Sequence, residues 1–253
     1  MIFILRAELY KVLGYKAFRY LIAGYLVTLC SAAYIGDSFV QQFVKKSNPG
    51  ESSPAFSISE YWNALLWLGQ FFHLYLGVVL IMLICNEWET RTMRQQIMSG
   101  LTEMQVVFCK VFNSSIFLFI PVFTILLLGL ALGEGLGEAS GTETVTLFFY
   151  FYIKGMGIMA FSAMLAFWLK KPAPAILFLI GYYFILESIL GMIVDHYLPG
   201  YSIALPLKSF NALANYEADS DFVFQAKSLL LLTVTYICVF WSLSLLRIRR
   251  YDV

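Results

Sequence analysis

Long apolar runs separated by short polar interruptions organise this chain. The runs cover 20–40, 61–84, 111–132, 145–169, 175–194 and 228–246. Each approaches the roughly 20 residues a helix needs to cross the hydrocarbon of a bilayer. Backbone groups left unpaired in hydrocarbon are costly, so runs of this length predict helices rather than open strands. The expected fold class is therefore an all-α polytopic membrane protein with six transmembrane helices, built as a single transmembrane domain over 1–253. Asn48-Pro49-Gly50 through Ser57 breaks any helix between the first two runs, and Lys170-Lys171-Pro172-Ala173-Pro174 forces a tight turn between the fourth and fifth. Pro121 predicts a kink in the third.

The polar stretches carry patterns of their own. At the N-terminus, Ile2, Phe3, Leu9, Tyr10, Leu13 and Ala17 fall on one helical side and Glu8, Lys11, Lys16 and Arg19 on the other, with Arg6, Ile4 and Val12 spoiling the separation. This predicts an interfacial helix over 1–19, its alternative being the end of a long first span. The longest interruption, 86–110, holds a helix stop at Ser99-Gly100 and a capping box at Thr102 and Gln105. Helix, tight turn and helix are expected there. Arg91, Arg94, Gln95 and Met98 recur at three- and four-residue spacing and so share one face open to a soluble partner. A solvated surface loop has the same composition. Within the polar stretch 195–227, the sequence from Pro206 to Asn215 predicts a short outer helix that turns Leu207, Phe210, Leu213 and Ala214 toward the membrane or the span ends. A disordered loop is the alternative.

Composition agrees with the pattern. The chain is 60% hydrophobic and 13% charged, whereas an average soluble domain has about a quarter of its residues charged. A net charge of +1 gives no field suited to nucleic acid. With both termini inside, the inner side carries Arg6, Lys11, Lys16, Arg19, Arg91, Arg94, Lys110, Lys170, Lys171, Arg247, Arg249 and Arg250. The outer side carries Lys45, Lys46, Lys208 and Lys227. That bias predicts cytoplasmic termini and a cytoplasmic 86–110 segment.

Candidate chemistry is sparse. Cys30 and Cys238 lie in apolar runs and Cys85 and Cys109 at the borders of the polar segment, so neither a disulfide framework nor a zinc site is expected. His73 and His196 lack carboxylate or thiol companions at ligand spacing. The N-terminus has no short apolar core followed by a small-residue cleavage site, so no removable signal peptide is expected. Glu87, Glu89 and Arg91 superficially resemble a segment of CAAX-type intramembrane proteases. Trp88 separates the acids, though, and the span histidines of that family do not follow. There is no phosphate-binding Gly-rich loop ending in Gly-Lys-Ser/Thr, so any nucleotide-driven work needs another subunit. Lys154 and Glu187 fall at similar depth in the fourth and fifth runs and are expected to form an intramembrane ion pair or share a water-lined cavity. Gly129, Gly133, Gly137 and Gly141 recur every four residues, a spacing that permits close helix approach and equally suits a flexible outer loop.

One resemblance draws these features together. Glu89, Thr92, Arg94, the Ser99-Gly100-Leu101 turn, Glu103 and Lys110 are similar to the segment between the second and third spans of ABC-2 type permeases. The likeness is closest to the lantibiotic-immunity and peptide-antibiotic branch, and with the span count it covers nearly the whole chain. It implies that 86–110 contains a coupling helix docked in a groove on an ABC ATPase, through Glu89, Arg91, Thr92, Arg94, Gln95, Met98, Ser99 and Gly100. It further implies an N-terminal elbow helix and short outer helices between spans five and six. The implied protein is a bacterial inner-membrane permease subunit, a homodimer or a heterodimer with a related permease, that moves a hydrophobic or amphipathic substrate. On this resemblance the chain has no catalytic residues and no cofactor of its own, and ATP and Mg are held by the partner. An intramembrane enzyme or membrane assembly factor working without an ATPase is the alternative.

Overall fold

The computed structural model describes residues 10, 14, 16–47, 58–132, 141–214 and 226–249, and among them every regular element is helical. The first five helices are α1 (Lys16–Ser47), α2 (Ile58–Glu89), α3 (Thr92–Met98), α4 (Glu103–Leu132) and α5 (Gly141–Leu169). Helix α6 (Pro172–Gly181) continues through a π turn (Tyr182–Leu186) into α7 (Glu187–Tyr197). A 3-10 turn (Tyr201–Ala204), α8 (Pro206–Ala214) and α9 (Ala226–Arg249) complete the order.

Five described stretches are long and apolar enough to cross a membrane: Leu65–Glu89, Glu103–Gly129, Val145–Leu169, Pro172–Tyr197 and Lys227–Arg249. The remaining expected span, 20–40, falls in α1, whose apolar stretch among the described residues is the shorter Arg19–Ala32. The expected interfacial helix over 1–19 lies outside the described residues apart from 10, 14 and 16–19, the last of which already belong to α1. The Asn48 to Ser57 break and Gly133 and Gly137 also lie outside them.

The polar connection between the second and third spans is shorter than 86–110. Helix α2 runs on to Glu89 and α4 begins at Glu103, so charged residues expected in water are helical and packed. The reason is a buried ion pair: Lys110 Nζ lies 2.6 Å from Glu87 Oε1. Each charge supplies what the other would have sought from solvent.

Helix α5 forms the centre of the bundle, packed most extensively against α2 and α9. Two glycines let neighbouring helices come close to α5, Gly155 on the side of α2 and α4 and Gly157 on the side of α8. A Cβ on Gly155 would stand 2.5 Å from Leu118 and 2.9 Å from the His73 ring, and one on Gly157 would stand 2.6 Å from the Phe210 ring. Close backbone approach matters here because lipid is as apolar as a core side chain, so tight packing and hydrogen bonds hold the helices together. Pro121 is accommodated and buried within α4. As the sequence predicts, the α5–α6 connection is tight: Lys170 has φ 56 and Pro172 opens α6, where its missing N–H costs nothing. Much of α6, the π turn and α7 is exposed, with Leu177, Phe184, Ile189 and Met192 on the surface of the bundle.

Candidate functional site

The α2–α4 connection is built from strong local signals. Arg91 takes a left-handed conformation (φ 57) and reverses the chain after α2, while Thr90 Oγ1 donates to the Asn86 carbonyl at 2.8 Å. Short helix α3 follows, anchored by Met93, which is 1% exposed. Ser99 N–H donates to the Gln95 carbonyl, and Gly100, at φ +100, ends the helix where an L side chain would be strained. The expected capping box is present. Thr102 N–H donates to Gln105 Oε1 at 3.0 Å, and Gln105 N–H donates back to Thr102 Oγ1 at 3.3 Å.

The residues expected to form one face are arranged differently in detail. Arg91 precedes α3 rather than lying within it. Gln95 and Met98 are exposed, Met98 at 70%, and Arg94 is half-buried. Glu89, Ser99 and Gly100 are exposed beside them, whereas Thr92 turns inward, its hydroxyl contacting Thr90 Oγ1 at 3.2 Å. Nothing in the sequence spacing marked Arg91 as a turn residue, since left-handed conformations are uncommon outside glycine and asparagine.

Aromatic and cationic groups gather at this same end of the bundle. Lys170 Nζ lies 4.6 Å from the centre of the Trp88 ring, and the Arg247 guanidinium lies 5.7 Å from the centre of the Trp168 ring. Such contacts tie the ends of α2, α5 and α9 together.

Polar groups within the spans form a second cluster. Lys154 on α5 is 1% exposed and its Nζ donates to Gln70 Oε1 on α2 at 2.5 Å. His73, one turn from Gln70, is fully buried against the Phe151 ring, and neither ring nitrogen has a hydrogen-bond partner among the described residues. The expected pairing of Lys154 with Glu187 gives way to separate partners. Glu187, 3% exposed, accepts at Oε1 from the Lys208 N–H at 2.7 Å.

That bond belongs to a return segment at the other end of the bundle. After Tyr197 the chain doubles back, so that Asp195 Oδ1 accepts from Ser202 N–H at 3.1 Å and the Lys208 side chain lies over Gly191. Helix α8 is present as the sequence predicts, and Leu207, Phe210 and Leu213 are all buried. It does not lie flat on the outer surface: Phe210 reaches Gly157, near the middle of α5. Tyr236 of α9 completes the clasp by donating from its hydroxyl to the Ala204 carbonyl at 2.6 Å. The Glu187 carboxylate thus sits at the N-terminal end of α8, where unpaired N–H groups and the helix dipole favour negative charge.

The assembly is a helical bundle with a cation-rich end, a short, partly exposed helix across that end and a return segment folded into the opposite one. No curated protein matches the chain. A family model described as ABC-2 family transporter protein matches residues 19–253.

Proposed function

We propose, from the premise that the chain belongs to the ABC-2 transporter family, how this multi-pass permease subunit of an ABC transporter works. It couples ATP hydrolysis in a separate ATPase subunit to export, or extraction from the membrane, of a hydrophobic or amphipathic substrate. The observation that carries this reading is the build of the connection from Thr90 to Thr102. It is short, closed by caps at Gly100 and Thr102, and fixed to the bundle through Met93 and the Glu87–Lys110 ion pair. A helix seated on a rigid base transmits a push, whereas a loose loop absorbs it. Exposed Gln95 and Met98, flanked by Arg91, supply the contact surface for the ATPase.

In this reading α1 supplies a sixth span and both termini are cytoplasmic, as the distribution of lysine and arginine supports. Two permease copies, or this chain and a related one, form the pathway between them. A peptide of the antibiotic class is the first substrate to try, given the branch that the 89–110 motif resembles.

Cysteine placed at Arg91 or Met98, in a background without Cys30, Cys85, Cys109 and Cys238, is expected to cross-link to the copurifying ATPase. Folded protein that neither copurifies nor cross-links with an ATPase overturns the proposal. Labelling of Ser99→Cys from outside intact cells by a membrane-impermeant reagent would put the segment on the wrong side of the membrane and overturn it equally.

A further inference from the structure

We propose that His73 is a second acceptor for the Lys154 ammonium, which passes between Gln70 and His73 inside the bundle. The exchange belongs to this chain alone and stands or falls without an ATPase. Its origin is an ammonium shut away from water. Lys154 is 1% exposed and its Nζ donates to Gln70 Oε1, which satisfies one of its three N–H groups. No carboxylate pairs with it among the described residues: Glu87 is held by Lys110, and Glu187 accepts the Lys208 N–H. A buried charge with so few partners is costly, so a further acceptor within its reach stabilises it.

His73 offers that acceptor. A neutral imidazole has one N–H and one bare nitrogen, and neither nitrogen of the fully buried His73 side chain has a hydrogen-bond partner among the described residues. Gln70 and His73 lie three residues apart and so share one face of α2. A Cβ on Gly155 would stand 2.9 Å from His73 Nε2, and Gly155 directly follows Lys154. His73 Nε2 is therefore within about 8 Å of the Lys154 Cα, and a lysine stem carries its Nζ about 6 Å from that atom. At this range the Lys154 charge acts on the His73 ring. One ammonium thus has both acceptors within the sweep of its stem.

The two acceptors are separated by about 4.5 Å along the axis of α2, the helix that leads into the Thr90–Thr102 connection. Handing the ammonium from one to the other lets α2 slide against α5 by about that distance without stranding a buried charge. The imidazole left without a partner in this arrangement is then the acceptor of the other one.

The test reads the imidazole directly, because the chain has just two histidines. Full-length protein in lipid, labelled at histidine nitrogen and carrying His196→Gln, gives the solid-state NMR signals of His73 alone. A neutral ring is expected, with one bare nitrogen that accepts no hydrogen bond. Gln70→Leu is expected to shift that nitrogen to the position of one accepting from an ammonium. Gln70→Asn, whose shorter amide falls away from Lys154, gives the same readout if Gln70→Leu does not fold. An unmoved signal in a folded Gln70 variant overturns the proposal, as does a ring protonated on both nitrogens, which has no acceptor to offer. Thermal unfolding supplies the second arm. The loss in the double variant Gln70→Leu with His73→Phe is expected to exceed the sum of the single losses, and the excess to vanish when Lys154→Met removes the ammonium. Additive losses, or an excess that persists without Lys154, overturn the proposal equally.

Discussion

Glu187 Oε1 accepts the Lys208 N–H at 2.7 Å, so a carboxylate inside one span fixes the start of a helix that lies on the far side of a chain reversal. Glu187→Ala strands that N–H in a buried setting, a loss of about 1.5–3 kcal/mol for a bond to a charged group. Thermal unfolding in detergent should fall by about 2–4 °C per kcal/mol. Glu187→Gln keeps an acceptor and should lose less. An alanine variant as stable as the parent would show that the bond does not hold α8.

Lys154 and Glu187 have separate partners, Gln70 and Lys208. The exchange Lys154→Glu with Glu187→Lys is therefore expected to leave both single defects in place. Expression and melting temperature of the double variant, compared with each single, measure this. Recovery to the parent level would mean that the two side chains meet after all.

For Glu87 and Lys110 the expectation is the reverse. Lys110→Met removes the ammonium that lies 2.6 Å from the buried Glu87 carboxylate, a change that costs about 3–5 kcal/mol in comparable pairs. The combined Glu87→Gln and Lys110→Met protein should recover much of that loss, because both charges are gone. A double-mutant cycle read by thermal unfolding gives the coupling, and additive losses would contradict it.

Gly157→Ala places a methyl 2.6 Å from the Phe210 ring. Overpacking of this kind costs about 1–3 kcal/mol. If α8 is pushed out of the bundle, protease should cut between Tyr197 and Ala226 faster than in the parent. Phe210→Leu, by making room, should slow the cutting again.

Thr102→Val removes one half of the capping box, typically about 1 kcal/mol. Gly100→Ala strains a residue at φ +100. Both should lower substrate-stimulated ATPase activity in the assembled transporter more than they lower melting temperature, if the α3 segment transmits force. A parallel fall in both measures would mark them as stability variants only.

What the sequence revealed was what depends on near neighbours. The box at Thr102 and Gln105, the stop at Gly100 and the Pro172 turn are settled within a few residues, and the apolar runs identify spans by length alone. Partners across helices were not readable. Depth along a span is one coordinate, and it suggested Lys154 with Glu187. Contact also needs the right rotation about the helix axis, which no local pattern states. The buried pair Glu87 and Lys110, 23 residues apart, is hidden in the sequence for the same reason, so the apolar pattern overstates the length of the polar connection.

The π turn at Tyr182–Leu186 carries a consequence for how this chain tolerates changes of length. One residue more or less in an α-helix rotates everything beyond it by about 100°. Shortening the turn by a single residue would swing Glu187, Gly191 and Asp195 away from the return segment at one stroke, since all three face it by virtue of the same phase. Insertions and deletions are usually harmless in loops and harmful at hinges. Here a sensitive point sits in the middle of the apparently uninterrupted apolar run Pro172–Tyr197.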